Sequence, residues 1–240
     1  YYTYKTTYLG GQKTNFFDPY NSELYNGGQI QSLTSNSVTH NIEGYFAMAD
    51  YNYAHKYYLS AAFRRDGTSR FLDRWGNFWS VGAGWRISSE KFMESTKDWL
   101  QVLKLRASYG VNGNNNISRY MQYGTYTQTT YNGITGLRPS TPANPDLSWE
   151  KNNSWNFGLD FHFLKRVSGS IDFYTRKTTD MLLQKAQSST SGFNTAWANV
   201  GSMRNTGVEF QFDANIIDTN DWRWDVGLNI AHNKSKVLNP

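Results

Sequence analysis

From about His40 onward, apolar and polar positions alternate one by one. Leu59, Ala61 and Phe63 share a face, with Ser60, Ala62 and Arg64 opposite. Trp79, Val81, Ala83, Trp85 and Ile87 interleave with Ser80, Gly82, Gly84, Arg86 and Ser88. Leu103, Leu105, Ala107 and Tyr109 interleave with Lys104, Arg106, Ser108 and Gly110, and Trp155, Phe157, Leu159, Phe161 and Phe163 with Asn156, Gly158, Asp160 and His162. Near the end Trp222, Trp224, Val226, Leu228 and Ile230 alternate with Arg223, Asp225, Gly227 and Asn229. Successive side chains of a strand point to opposite faces, so each run predicts a strand with one apolar and one polar face. Residues 1–38 lack this signal. They are rich in Tyr, Thr, Asn, Gln and Gly, and Tyr20–Gly28 has the composition of a polar loop, so the opening is expected to be irregular.

Soluble strands average ~5–6 residues, whereas these runs reach about nine to twelve and carry aromatics at one or both ends, the length that crosses a bilayer at a tilt. The connections alternate in length too. Leu164–Val167 and Asp218–Asp221 are tight turns, the latter with its aspartates as expected caps, while Ile117–Lys151 and Leu183–Asn199 are long and rich in Thr, Ser, Asn and Gly. Short turns at one end and long loops at the other describe an outer-membrane barrel. The expected fold class is therefore all-β, a partial transmembrane antiparallel β-barrel of about ten strands with long loops. One short segment, Ser88–Glu94, reads as a helix capped by Ser88.

Composition narrows the chemistry. Apolar residues are only 38% of the 240 but aromatics are 17%, too many for a disordered chain. Without cysteine there is no disulfide scaffold, thiol nucleophile or cysteine-held metal. Lys and Arg number 24 against 19 Asp and Glu; the resulting +5 is scattered, which speaks against nucleic-acid binding. No apolar run approaches the ~18 residues of a membrane helix, which leaves a barrel untouched. The chain opens at Tyr1 and reads as a piece of something longer.

Catalytic, cofactor and metal motifs are missing. His40, His55, His162 and His232 are isolated, Gly82 and Gly84 sit within a strand pattern and open no helix, and no spaced carboxylate set suggests a cation site. A barrel enzyme such as a lipase or protease would need a Ser or Asp beside a His on neighbouring strands, and nothing pairs them, so no enzyme is expected. The densest charged motif, Phe63–Phe71, reads as an ion-paired strand end with Asp66-Gly67 as a turn or bulge. Trp79, Trp85, Trp155, Trp222 and Trp224 lie on the apolar face, as an interfacial girdle would; Tyr123, Tyr126, Tyr131 and Trp197 lie in the loops, where aromatics can stack on a ligand.

Six ordered motifs carry a family resemblance: Lys56–Phe71, Arg74–Ser88, Leu103–Asn114, Asn144–Lys151, Asn199–Glu209 and Asn229–Lys236. Together they closely resemble the C-terminal half of the barrel in SusC/RagA-type TonB-dependent transporters of Bacteroidetes. The resemblance implies a barrel of about 22 strands around an N-terminal plug, seated in the outer membrane and importing oligosaccharides or peptides. It implies a SusD-like surface lipoprotein as lid and the TonB–ExbB–ExbD complex as energy source. Residues 39–240 are then part of the barrel and 1–38 an extracellular loop, with the plug and TonB box absent from this chain and the barrel cut short at Pro240. No cofactor is implied, and the motifs carry over no ligand contact. By alternation Arg64, Arg86, Lys104, Arg106, Asp160 and Arg223 are expected to face the lumen. The competing reading is a surface-exposed carbohydrate-binding β-sandwich or adhesin, which needs shorter strands and two facing sheets.

Overall fold

The computed structural model describes residues 1–21 and 23–239. Ser22, within the expected Tyr20–Gly28 loop, and Pro240, where the barrel was expected to be cut short, lie outside the described residues. The chain divides into two units, residues 1–43 and 44–240.

The first unit corrects the expectation of an irregular opening. Strand β1 (Tyr2–Phe16) pairs antiparallel with the first part of β2 (Gly27–Tyr53), from Tyr2 opposite Ile42 to Phe16 opposite Gly27, with a register shift after Gln12. Between the two strands Leu24–Asn26 form a 3-10 turn, and Asn26 Nδ2 donates to the Asp18 carbonyl at 2.8 Å. The physical reason for the missed hairpin is that Thr, Ser, Asn and Gln occupy both faces. Its Thr and Tyr favour extended backbone, but with neither face consistently apolar there is no period-two signal to read.

In the second unit the end of β2 is followed by β3 (Tyr57–Thr68), β4 (Trp75–Arg86), β5 (Leu100–Asn114), β6 (Thr125–Tyr131), β7 (Ile134–Thr141), β8 (Glu150–Phe163), β9 (Val167–Thr179), β10 (Leu182–Ala186), β11 (Thr195–Asn199), β12 (Ser202–Asp218) and β13 (Arg223–Asn239). The sheet runs β2-β3-β4-β5-β8-β9-β12-β13, while β6-β7 and β10-β11 are separate two-stranded ribbons inside the long connections. Every pair from β3 to β13 is antiparallel.

One end of this sheet carries short connections. Between β2 and β3, Ala54 and His55 have φ of 52° and 54°, and Lys56 N–H donates to the Tyr53 carbonyl at 3.0 Å. Leu164 and Lys165 repeat the geometry between β8 and β9, with φ of 55° and 56°. Two left-handed central residues suit the right-handed twist of a hairpin, and the Asn52 side chain secures the first turn by accepting from His55 N–H at 3.0 Å. The β12–β13 turn is held by Thr219, whose hydroxyl accepts from Trp222 N–H at 3.0 Å, and not by the aspartates expected to cap it. The expected helix forms as two 3-10 turns, Ile87–Ser89 and Lys91–Thr96, because so short a segment cannot repay α-helix nucleation. Ser88 caps neither; its hydroxyl donates to the Gln101 carbonyl at 3.3 Å.

The other end carries the long connections, which build the small buried core. Phe78, an aromatic on the polar face of β4, is covered by Phe71, Ile117, Leu147, Trp149 and Leu182, with Met121 and Trp197 against them. Phe71 and Leu147 are each 1% exposed, and Trp149 meets Phe78 edge-on at 5.2 Å between centroids. Asn199 Oδ1 accepts from Ser148 N–H at 2.8 Å while its amide donates to the Ser148 carbonyl at 2.9 Å, tying the β9–β12 connection to the β5–β8 connection.

Register reveals the inclination of the strands. One hydrogen-bonded row on the apolar face runs Trp85, Leu105, Leu159, Ile171, Phe210, Ile230. On β4 this row meets the turn-side limit of the apolar run Trp79–Trp85; on β13 it meets the loop-side limit of Trp222–Ile230. The apolar belt thus slides by its own width in crossing the sheet. Trp222 to Ile230 is about 27 Å of strand and the five strand steps about 24 Å, an inclination of about 45°, the tilt of strands in a membrane barrel.

Candidate functional site

The polar face has an ordered floor. On adjacent rows lie Arg86, Lys104, Asp160, Ser170, Gln211 and Asn229, then Tyr58, Gly84, Arg106, Gly158, Asp172 and Glu209. Arg64, Arg86, Lys104, Arg106, Asp160 and Arg223 all fall on this face, but they do not form one site. Arg86, Lys104, Arg106 and Asp160 are neighbours. Arg64 lies toward the long-loop end, where its Nε donates to Asp66 Oδ1 at 2.7 Å. Arg223 lies beside the β12–β13 turn, its Nε 2.8 Å from Asp225 Oδ2. Asp66 and Gly67 are within β3, so the motif expected to turn there stays extended.

Arg106 is the centre of the charged rows. It grips Asp160 in a two-pronged pair, Nε to Oδ2 at 2.9 Å and Nη2 to Oδ1 at 2.8 Å, and reaches across to Asp172 with Nη2 at 3.1 Å. The paired fork geometry makes these charge-assisted bonds directional; with the Arg106 side chain 35% exposed, each contributes no more than about 1 kcal/mol. Gly158 makes the reach possible. It stands opposite both Arg106 and Asp172, and a Cβ there would lie 2.7 Å from the guanidinium carbon and 2.6 Å from Asp172 Oδ1. Arg106 therefore lies along the wall as a brace across β5, β8 and β9. Asp172 was missed as a site residue, though the alternation of Ile171, Asp172, Phe173 and Tyr174 carries the needed signal.

Lys104 is opposite Asp160 in register, yet that carboxylate belongs to Arg106, and the ammonium sits 4.6 Å over the Tyr58 ring instead. Arg86 Nη2 donates to the Gln101 carbonyl at 3.5 Å. Asp50, Asn52, Tyr58, Ser60, Lys104 and Asn156 outline a shallow basin of about 340 Å³. Among the described residues no cluster of His, Asp or Glu has the arrangement of a metal site.

The opposite face is aromatic and open. Trp79 meets Tyr109 at 5.2 Å, Tyr109 meets Trp155 at 4.5 Å and Trp155 stacks on Phe157 at 6.0 Å. Trp79, Trp155 and Phe157 are each between 43% and 48% exposed. Among the described residues no second large sheet pairs with this one, as a sandwich would require. Of the loop aromatics, Trp197 is committed to the loop core, whereas Tyr123, Tyr126 and Tyr131 are exposed.

At the turn end a carboxylate joins three elements. Glu90 accepts from Tyr57 Oη at 2.7 Å, Lys56 Nζ at 3.0 Å and Trp85 Nε1 at 3.1 Å. These donors, led by the Tyr57 hydroxyl, hold its pKa down to about 2.

Comparison with known proteins agrees with this geometry. Residues 1–238 match the family described as TonB dependent receptor-like, beta-barrel. The TonB-dependent receptor SusC of Bacteroides thetaiotaomicron is 33% identical over 252 residues, covering 95% of this chain and 25% of that protein. A TonB-dependent receptor of Formosa agariphila is 35% identical over 213 residues, covering 87% of this chain and 20% of its own length. The RagAB peptide transporter superposes with a TM-score of 0.90 at 31% identity, over 99% of this chain and 27% of that one. The siderophore receptor PirA of Pseudomonas aeruginosa, 14% identical with a TM-score of 0.55, shares the fold alone. The chain thus spans roughly a fifth to a quarter of the relatives it resembles.

Proposed function

The chain belongs to the TonB-dependent receptor β-barrel family of the bacterial outer membrane, and from that premise we propose that it forms part of the wall through which a large nutrient, an oligosaccharide or a peptide, is actively imported. The observation that carries the reading is the division of one inclined sheet into an uncovered aromatic face and a polar face floored by glycine. In a bilayer the aromatic face meets lipid and the polar face lines a water-filled passage. Arg64, Arg86, Lys104, Arg106, Asp160 and Arg223 are then lumen residues. Most are spent on the wall itself, so the passage keeps its width while presenting hydrogen-bonding surface to a hydrated solute.

Residues 39–240 are assigned to the barrel and 1–38 to the extracellular side, because neither face of the β1–β2 hairpin offers the continuous apolar rows that lipid demands. The likeness to SusC and to RagAB supports a SusD-like surface lipoprotein as partner and TonB with ExbB and ExbD as energy source. Extraction of the intact protein from native membranes in detergent, followed by mass spectrometry, tests the assembly. A polypeptide several times heavier than 27.6 kDa with a lipidated surface protein is expected. A 27.6 kDa species in the aqueous fraction, without a partner, would sink the reading. Uptake of labelled oligosaccharide and peptide pools by cells with and without TonB tests the transport, which should stop when TonB is removed.

A further inference from the structure

Beyond the braced rows, the polar face carries a groove of about 470 Å³ formed by β8, β9, β12 and β13 and lined by Asn156, Tyr174, Arg176, Asn205, Glu209 and Asn233. Resting on the import reading above, we propose that this groove is a subsite for an uncharged sugar ring.

Tyr174 stands opposite Gly207 in register, and a Cβ at Gly207 would lie 2.5 Å from both its Cζ and its hydroxyl. The missing side chain lets the phenol lean along the wall and line the groove instead of standing across the passage. A ring held that way offers a flat apolar surface, the complement of the C–H face of a pyranose.

Around it the hydrogen-bonding groups are unspent. Among the described residues the side chains of Asn156, Tyr174, Glu209 and Asn233 have no hydrogen-bond partner, and Asn205 Oδ1 is buried without one. This is the reverse of the adjacent rows, where Arg106 satisfies two carboxylates at once. Amides supply donors and acceptors together and a carboxylate supplies acceptors, the mixture that sugar hydroxyls, which both donate and accept, can pair with. The electrostatics also favour a neutral guest. Arg176 and Glu209 bring one charge of each sign into the groove, which therefore carries no net charge to hold an ion; Arg176 Nε is engaged with Ser154 Oγ at 3.3 Å, and the neighbouring Asp172 is already paired with Arg106. Most of the groove carries amide and hydroxyl groups, as befits a ligand whose polarity lies in hydroxyls.

The test uses the full-length transporter, immobilised in detergent and exposed to an equal mixture of two pools: neutral oligosaccharides from hydrolysed starch, cellulose, xylan and mannan, and a tryptic peptide digest. Mass spectrometry reads which components are depleted. Depletion of at least one neutral oligosaccharide is expected, with Tyr174→Ala and Glu209→Gln each weakening retention about tenfold, or roughly 1.4 kcal/mol, and Tyr174→Phe keeping most of it. Heat-modifiable migration confirms that each variant is a folded barrel. Depletion of peptides alone, depletion of neither pool, or retention unchanged in both Tyr174→Ala and Glu209→Gln overturns the sugar subsite. TonB-dependent uptake of the same pools separates the two levels. Peptides retained and imported would sink the subsite and leave the import reading standing, whereas no TonB-dependent uptake of either pool would sink import.

Discussion

The two faces of the sheet are built from the same strands, yet they solve opposite problems. The aromatic face is held by ring contacts such as Trp79–Tyr109–Trp155 and leaves its side chains uncovered. The polar face folds its long side chains down over glycines, Arg106 over Gly158 and Tyr174 over Gly207. The difference teaches that burial in this protein is not a property of the chain alone. A glycine on the facing strand lets a long polar side chain lie flat, while the uncovered rings of the other face pack on one another.

The sharpest way to break the contrast is to exchange its chemistry. Leu105→Arg places a charge in the apolar belt and is expected to cost about 2–4 kcal/mol of folding free energy in a bilayer. Ser108→Arg, on the opposite face of the same strand, should stay within about 0.5 kcal/mol of the parent. Denaturant titration of the full-length barrel in lipid vesicles measures both, and equal costs would refute the assignment of the faces.

A smaller effect is expected where the polar face depends on missing side chains. Gly158→Val pushes Arg106 off its bridge to Asp172 and should cost about 1–3 kcal/mol, the range for forcing bulk into a filled space. Gly136→Val, in the β6–β7 ribbon with open space at the Cβ position, is the control and should cost less. If the two cost the same, the brace does not depend on that glycine.

The smallest effect belongs to the turn end, outside both faces. The Glu90 pKa is lowered, so its contribution is fully present above the unfolded carboxylate value near 4.5 and is lost as pH falls through about 2. Glu90→Gln should therefore weaken the β2–β3 and β4–β5 connections at neutral pH and converge with the parent below about pH 2. Hydrogen exchange at Lys56 and Trp85 against pH reads this directly. An offset that persists at the acid limit would show that the ionised carboxylate is not the cause.

Strands β3, β4, β5, β8 and β13 were legible because a lipid-facing strand must alternate, and alternation is written in single residues such as Trp79, Val81, Ala83 and Trp85, whereas the short ribbons β6-β7 and β10-β11 lay hidden in what read as loops. The hairpin of residues 1–43 was illegible for the same reason: Thr, Ser and Asn on both of its faces leave no period to read. Ala54-His55 gave no turn signal because its left-handed pair rests on a side chain, Asn52, that precedes it. Trp197, legible only as a loop aromatic, proved to be core once the β9–β12 connection packed against residues more than forty positions away, Leu147 and Trp149 among them. Sequence alone determined the two faces of the alternating strands and placed Arg64, Arg86, Lys104, Arg106, Asp160 and Arg223 on the polar one. Which charges brace the wall and which groups stay open was decided by register, because a pairing such as Arg106 with Asp160 and Asp172, or Tyr174 with Gly207, exists only after distant strands have been set side by side.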